Sequence, residues 1–278
     1  MVDRAESADG TRKYIFESIT PEIAKFEAVG IPSSGESDSR LTVCISSQAG
    51  CPMGCEFCAT GKQGFGRNLE IGEIVDQILE IEDDFNKRVS NVVVMGQGEP
   101  FLNFDAVINA LDIINNDKLI GIGARKINVS TCGILDGIKR FSGVNKQYGL
   151  AISLHSAIQS KRDELMPGVK NFKLDKLHDA IKNYIENTNR RPTLEYLMLR
   201  EVNDTNEDLE ALLSFTNGLH CHINLINYNS TEGSKFKGSK QKTSIEKAQT
   251  AYKKYTDKVE EANNAFRKQQ ELQKNPIN

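Results

Sequence analysis

The sequence predicts an α/β fold: a partial TIM-type (β/α)6 barrel with a short N-terminal β extension. Three observations predict it. Six short β-like runs recur along the chain, and most are followed by a stretch with helical apolar spacing. The runs are apolar, and their alternation with helices implies a parallel sheet with right-handed crossovers. Six such units fall short of a full eight-unit barrel. A doubly wound open sheet is the alternative.

The first unit is preceded by Lys13–Phe16 and Lys25–Val29, two extra strands flanking TPEI. Residues 1–40 therefore read as a small extension, not a domain. The six core runs are Leu41–Ser46, Asn91–Met95, Lys126–Ser130, Gly149–Leu154, Thr193–Leu199 and Ile223–Ile226. Helices are expected over Ile71–Asn86, Asp105–Asn115, Ile134–Phe141, Lys173–Glu186, Asn206–Phe215 and Ser244–Glu261. Ile74, Ile78 and Ile81 share one face of the first of these. The barrel is assigned to residues 41–240, and 241–278 to a polar, helical tail. From Thr231 onward, eleven Lys and Arg stand against six Asp and Glu. That excess reads as a solvated face or as an anion-binding edge.

Bulk composition narrows the function. The chain has 278 residues, 38% of them hydrophobic, enough for one domain with a real core. Its net charge is −3, so a nucleic-acid partner is not announced by overall charge. No apolar run is long enough to span a bilayer. The stretch MVDRAESADGTRKY has no apolar leader core, and a cytoplasmic location is expected. Six cysteines in such a chain argue for metal binding or catalysis rather than a disulfide framework.

Three of them, Cys51, Cys55 and Cys58 in CPMGCEFC, lie directly after the first core strand. That is the C-terminal rim, where barrels of this kind collect their active sites. Structural zinc wants four ligands with paired spacing. A Cys₃His zinc site is one reading of the motif. A 4Fe–4S cluster is the other, since it is also held by thiolates and three of them leave one iron open for reaction. Later strand ends carry small or polar residues: GQGEP with Gly98 and Glu99, STCG with Ser130, SLHS with Ser153, Leu154 and His155, and INLI with Asn224. Taken singly, each is an ordinary polar strand end. Together they line one face in chain order.

Cys-x₃-Cys-x₂-Cys with Phe57 before its last cysteine resembles the radical S-adenosylmethionine (SAM) superfamily. Longer stretches resemble the RlmN/Cfr family of RNA adenine methyltransferases. They are TVCISSQAGCPMGCEFCATGKQGFGRNL, NVVVMGQGEPFLNFDAV, INVSTCGI, LAISLHSA, RDELMP, LEYLMLREVND and CHINLINYN. The likeness runs from about Asp9 to about Lys240. It implies a 4Fe–4S cluster on Cys51, Cys55 and Cys58, with SAM chelated to the unique iron. It implies SAM contacts from Gly98, Glu99, Ser130, Ser153, Leu154, His155 and Asn224, with Phe57 near the adenine. Glu27 matches the family's proton-accepting glutamate, and Cys44 a cysteine that resolves a covalent enzyme–RNA intermediate. An electron donor such as flavodoxin or ferredoxin is implied too.

The sequence departs from the family pattern in two places. A helical N-terminal accessory domain is expected before the core, yet the chain begins almost at the core. The family's methyl-carrying cysteine is expected after the last barrel unit, and no cysteine follows Cys221. Cys132 is the one plausible relocated thiol, because Cys221 precedes the sixth strand and belongs at the barrel bottom. Three readings stay open: a radical SAM enzyme with a diverged substrate or outcome, an RNA adenine methyltransferase with a relocated or partner-supplied thiol, and a non-catalytic iron–sulfur module.

Overall fold

Every strand-like run of the sequence becomes part of one nine-stranded sheet in the computed structural model, which describes residues 1–18, 24–33, 40–230 and 234–239. The N-terminal strands β1 (Asp3–Glu6), β2 (Arg12–Glu17) and β3 (Lys25–Pro32) run antiparallel to one another. β3 then pairs antiparallel with β4 (Leu41–Cys44). The expected extension is thus continuous with the sheet. Its first strand, β1, is fully exposed and polar, so the sequence offered no apolar signal for it.

After β4 come a two-stranded hairpin, β5 (Gln48–Gly50) and β6 (Phe65–Asn68), and within it α1 (Ala59–Gln63). Then helix and strand alternate. α2 (Ile71–Phe85), β7 (Asn91–Val94), α3 (Phe104–Asn115), β8 (Ile127–Thr131), α4 (Leu135–Ser142) and β9 (Gly149–Ser153) follow. The series ends with α5 (Gln159–Leu165), α6 (Leu174–Thr188), β10 (Thr193–Met198), α7 (Asn206–Thr216) and β11 (His222–Asn227). Strands β4, β7, β8, β9, β10 and β11 are parallel and adjacent in chain order. A doubly wound sheet reverses its order at a switch point, so that alternative is excluded. β1 and β11 are the sheet's two ends, which makes it an open six-unit barrel.

Local signals explain the helices. Glu70 and Glu73 form a reciprocal capping box at the start of α2, and Asn86 ends it in the left-handed region. Thr205 and Asp208 cap α7 in the same way. Ile74, Ile78 and Ile81 of α2 are fully buried with Val43, Val92 and Ile127 of the strands. Helices cover this face of the sheet. On the other face, Thr42, Cys44, Ser130 and Ser153 are only partly buried, and Asn128 is exposed. The expected helix Ser244–Glu261 lies outside the described residues. Among the described residues no helix is long and apolar enough to cross a membrane.

Asp84, near the end of α2, ties the N-terminal strands to the barrel. Its carboxylate accepts from the Tyr14 hydroxyl at 2.7 Å and from Arg12 Nη1 at 2.9 Å, and it pairs with Arg4. Partial burial opposes ionisation, but Tyr14, Arg12 and Arg4 outweigh it and hold this carboxyl below its ordinary value. Asp84→Asn should therefore lower stability by about 1–2 kcal/mol at neutral pH, read by denaturant titration. A depressed carboxylate stabilises above its unfolded pKa and loses that contribution as the pH falls through the folded one. The gap between parent and variant should close in acid.

Candidate active site

Strand tips and the cysteine loop enclose a pocket of about 290 Å³ at the C-terminal end of the parallel strands. Cys51, Cys55 and Cys58 line it from the loop, with Phe57 between the last two. Gly98 and Glu99 line it from beyond β7, Ser130 and Cys132 from β8, and Ser153 and His155 from β9. Nine residues expected to act together thus share one cavity. A larger groove of about 1000 Å³ lies at the opposite end of the strands, and no cysteine or carboxylate lines it.

The cysteine loop has almost no regular structure of its own, so its neighbours hold it. Cys51 N–H donates to Gly64 C=O at 2.8 Å, and Glu56 N–H to Leu165 C=O at 3.0 Å. Gly168 N–H reaches Met53 C=O at 2.9 Å. Gly61 allows the loop to close: a Cβ there would sit 2.8 Å from the Cys55 carbonyl oxygen. Residues 234–239 return over this region. Lys235 pairs with Glu56 at 2.8 Å, and Phe236 packs beside Tyr228 and the loop.

Glu99 is fully buried. Its two oxygens accept from Phe101 N–H at 3.0 Å and Cys132 N–H at 2.6 Å. Burial raises its pKa despite those bonds. Gly98 has φ +102°, and a Cβ there would lie 2.6 Å from Gln48 Cβ. Only glycine brings this turn so close to the hairpin. The Gln48 side chain in turn accepts from Glu99 N–H at 2.9 Å.

His155 is buried with φ +53° and meets Phe57 edge to face, ring centroids 4.8 Å apart. Its Nδ1 accepts from Leu197 N–H at 3.1 Å, so Nε2 carries the proton. Burial, assisted by Arg162, lowers its pKa to about 3. Its carbonyl accepts from Asn203 Nδ2 at 2.6 Å, and Asn203 also bonds both backbone groups of the β10 end, Leu197 C=O and Leu199 N–H. Leu154 is buried beneath, its N–H bound to Glu195 C=O at 3.0 Å.

Four expected residues fall outside the cavity lining: Leu154, buried beneath it, and Asn224, Glu27 and Cys44. Asn224 lies on β11 beside Glu195, donating to its carboxylate at 2.7 Å; Glu195 itself lines the pocket. Glu27 lies on β3 and pairs with Lys13 at 3.3 Å. Cys44 lies opposite Val29 on β3, so it and Glu27 share the uncovered face of the sheet. Burial pushes the Cys44 thiol up to about 11. Cys221 is buried just before β11, at the opposite end of the strands. Glu195, Asn203 and Arg162 were not anticipated as site residues. All three sit within stretches that carried the family resemblance, but only their position in space gives them meaning.

The donor set fits an iron–sulfur cluster. Three thiols from one short loop face one cavity, and three thiolates leave an iron open for a ligand. A cluster spreads its thiolates over several irons.

The buried, neutral His155 gives a direct check. Its imidazole signals should stay flat between about pH 5 and 8, with the proton on Nε2. An NMR titration with a midpoint near the ordinary value of about 6.5 would show the site to be solvated. A histidine with a depressed folded pKa also costs stability as pH falls below its unfolded pKa, because the unfolded chain gains the proton first.

Comparison with known proteins agrees with this geometry. Residues 45–216 match the radical SAM superfamily. Proteins named "Probable dual-specificity RNA methyltransferase RlmN" are 45% identical in Gloeobacter violaceus and 46% identical in Nostoc punctiforme. The matches cover 84% and 81% of this chain, and the chain spans only 65% and 62% of those relatives. A radical SAM methyltransferase from Sphaerobacter thermophilus has a similar crystal structure, with TM-score 0.83 and 34% identity, covering 90% of this chain and 72% of that one. The chain belongs to the radical SAM superfamily, and its sequence relatives within it include proteins named RlmN.

Proposed function

We propose that the protein is a radical SAM enzyme of the RlmN/Cfr type that modifies an adenine of RNA. The observation that carries the radical chemistry is the three-thiol loop facing Glu99 and His155 across one cavity. Similarity to RlmN-named relatives supports the RNA substrate. Cys51, Cys55 and Cys58 would hold a 4Fe–4S cluster. Bound together, cluster and SAM supply a 5′-deoxyadenosyl radical once an electron arrives from a donor such as flavodoxin or ferredoxin.

The chain's own residues bind and orient. Glu99, anchored by two backbone N–H groups, would receive the SAM ammonium, and Gly98 admits the ligand against bare backbone. Ser130, Ser153, Leu154 and His155 would contact SAM from the β8 and β9 tips, with Phe57 beside the adenine. Asn224 would reach SAM next to Glu195. Glu27 and Cys44, on the uncovered sheet face, are assigned to the RNA base rather than to SAM. Six free cysteines suit a reducing compartment, so the proposal places the protein in the cytoplasm.

A second reading, a diverged substrate or outcome, is favoured by the thiol inventory. Beyond the loop, Cys132 is the only cysteine among the described residues that lines the pocket. Anaerobically reconstituted protein with SAM and dithionite should release methionine and 5′-deoxyadenosine, and Cys55→Ala should lose both the iron–sulfur absorbance and the cleavage. Purification with zinc in place of iron would sink the proposal. RNA incubated with methyl-labelled SAM should carry label on adenine. Cleavage without labelled RNA would favour the diverged substrate.

A further inference from the structure

Arg162 is the largest fully buried side chain among the described residues. It sits on α5, the helix whose last residue, Leu165, anchors the cysteine loop through Glu56. Its Nη2 donates to Cys132 C=O at 2.6 Å and reaches Ser153 C=O at 3.4 Å. Among the described residues, its Nε and Nη1 have no hydrogen-bond partner. Gly133 makes room for it: a Cβ there would lie 3.2 Å from Nη2.

An arginine keeps its proton even when buried. A buried cation without a counter-charge is strongly destabilising, so such a group marks where an anion belongs. Glu99 does not neutralise it directly: the two charges hold opposite ends of residue 132, the carboxylate at its N–H and the guanidinium at its C=O. Asp163, the next residue along α5, acts on it through charge alone, and its carboxylate accepts from Gln159 Nε2 at 2.6 Å. Cys132, whose carbonyl Arg162 holds, lines the same cavity as Cys51, Cys55 and Cys58, so the guanidinium stands directly behind the wall that faces the three thiols. Three thiolates around a 4Fe–4S core carry net negative charge, and that charge grows on reduction.

We propose that Arg162 is the counter-charge of the cluster, a positioning residue whose buried guanidinium offsets the thiolate-ligated iron–sulfur core and favours its reduced state. The inference rests on the cluster reading above and deepens it.

The test is the cluster's midpoint potential, measured by EPR-monitored dithionite titration of the full chain, with and without SAM. Iron and sulfide content and circular dichroism are followed alongside. Arg162→Gln removes the charge, and its potential should move negative by about 60 mV or more, a tenfold change for one electron. Arg162→Lys keeps the charge and should recover most of that shift. Should the Gln variant not fold, Arg162→Met, an uncharged chain of similar length, carries the same expectation. A folded, cluster-loaded variant with the parent's potential would overturn the proposal. Weakened SAM binding at an unchanged potential would overturn it too, by assigning the arginine to SAM. If the parent itself takes up no iron–sulfur cluster, the cluster reading falls, and this inference with it.

Discussion

The pocket depends on one buried carboxylate. Glu99 has no access to solvent, and both of its oxygens are occupied by backbone N–H groups from two different strand ends. A carboxylate in that setting is tolerable only because those bonds are made. It therefore fixes the spacing between the β7 and β8 tips. Gln48 holds Glu99 from the hairpin side, and the hairpin carries the cysteine loop. Moving this carboxylate would loosen the loop, the turn and Cys132 together. The polar group that looks most like a ligand contact is also the keystone of its own cradle.

Much of this was legible in the sequence, and for specific reasons. The parallel strands are short apolar runs, and helices such as α2 and α7 announce themselves by capping residues and apolar spacing. The boundaries of the expected strands fell within about two residues of their observed places, the usual blur of an element's end, except that β3 continues past Val29 to Pro32. The cysteine motif pointed to the pocket because its spacing and its place after the first parallel strand agreed. What stayed hidden depended on distance across the fold. β1 pairs through backbone alone, with no buried side chain to betray it. Arg162 and Asn203 look like surface residues in the chain, since Arg and Asn are usually exposed. Only packing shows that Arg162 is sealed in and that Asn203 bonds three backbone groups at once.

The sheet is asymmetric in use as well as in cover. Helices and apolar side chains close one face, where Ile74, Ile78 and Val92 have no solvent exposure. The uncovered face keeps Cys44, Ser130 and Ser153 partly accessible. Three antiparallel strands lengthen the sheet on one side, and β11 ends it on the other. Asp84 pulls those added strands against α2 with an aspartate, a tyrosine and two arginines. The extension is thereby held as an edge of the barrel, and its Glu27 faces the same side as Cys44 of the first core strand.

The returning segment 234–239 sets an order in time. Glu56 of the cysteine loop meets Lys235, separated from it by nearly the whole of the barrel sequence. Ile226 of β11 also lines the cavity whose first cysteine is Cys51. During synthesis the three cysteines leave the ribosome long before the residues that close over them. A chain made only as far as β10 lacks both Ile226 in the cavity wall and Lys235 against Glu56, so the loop that is synthesised early receives its last neighbours late.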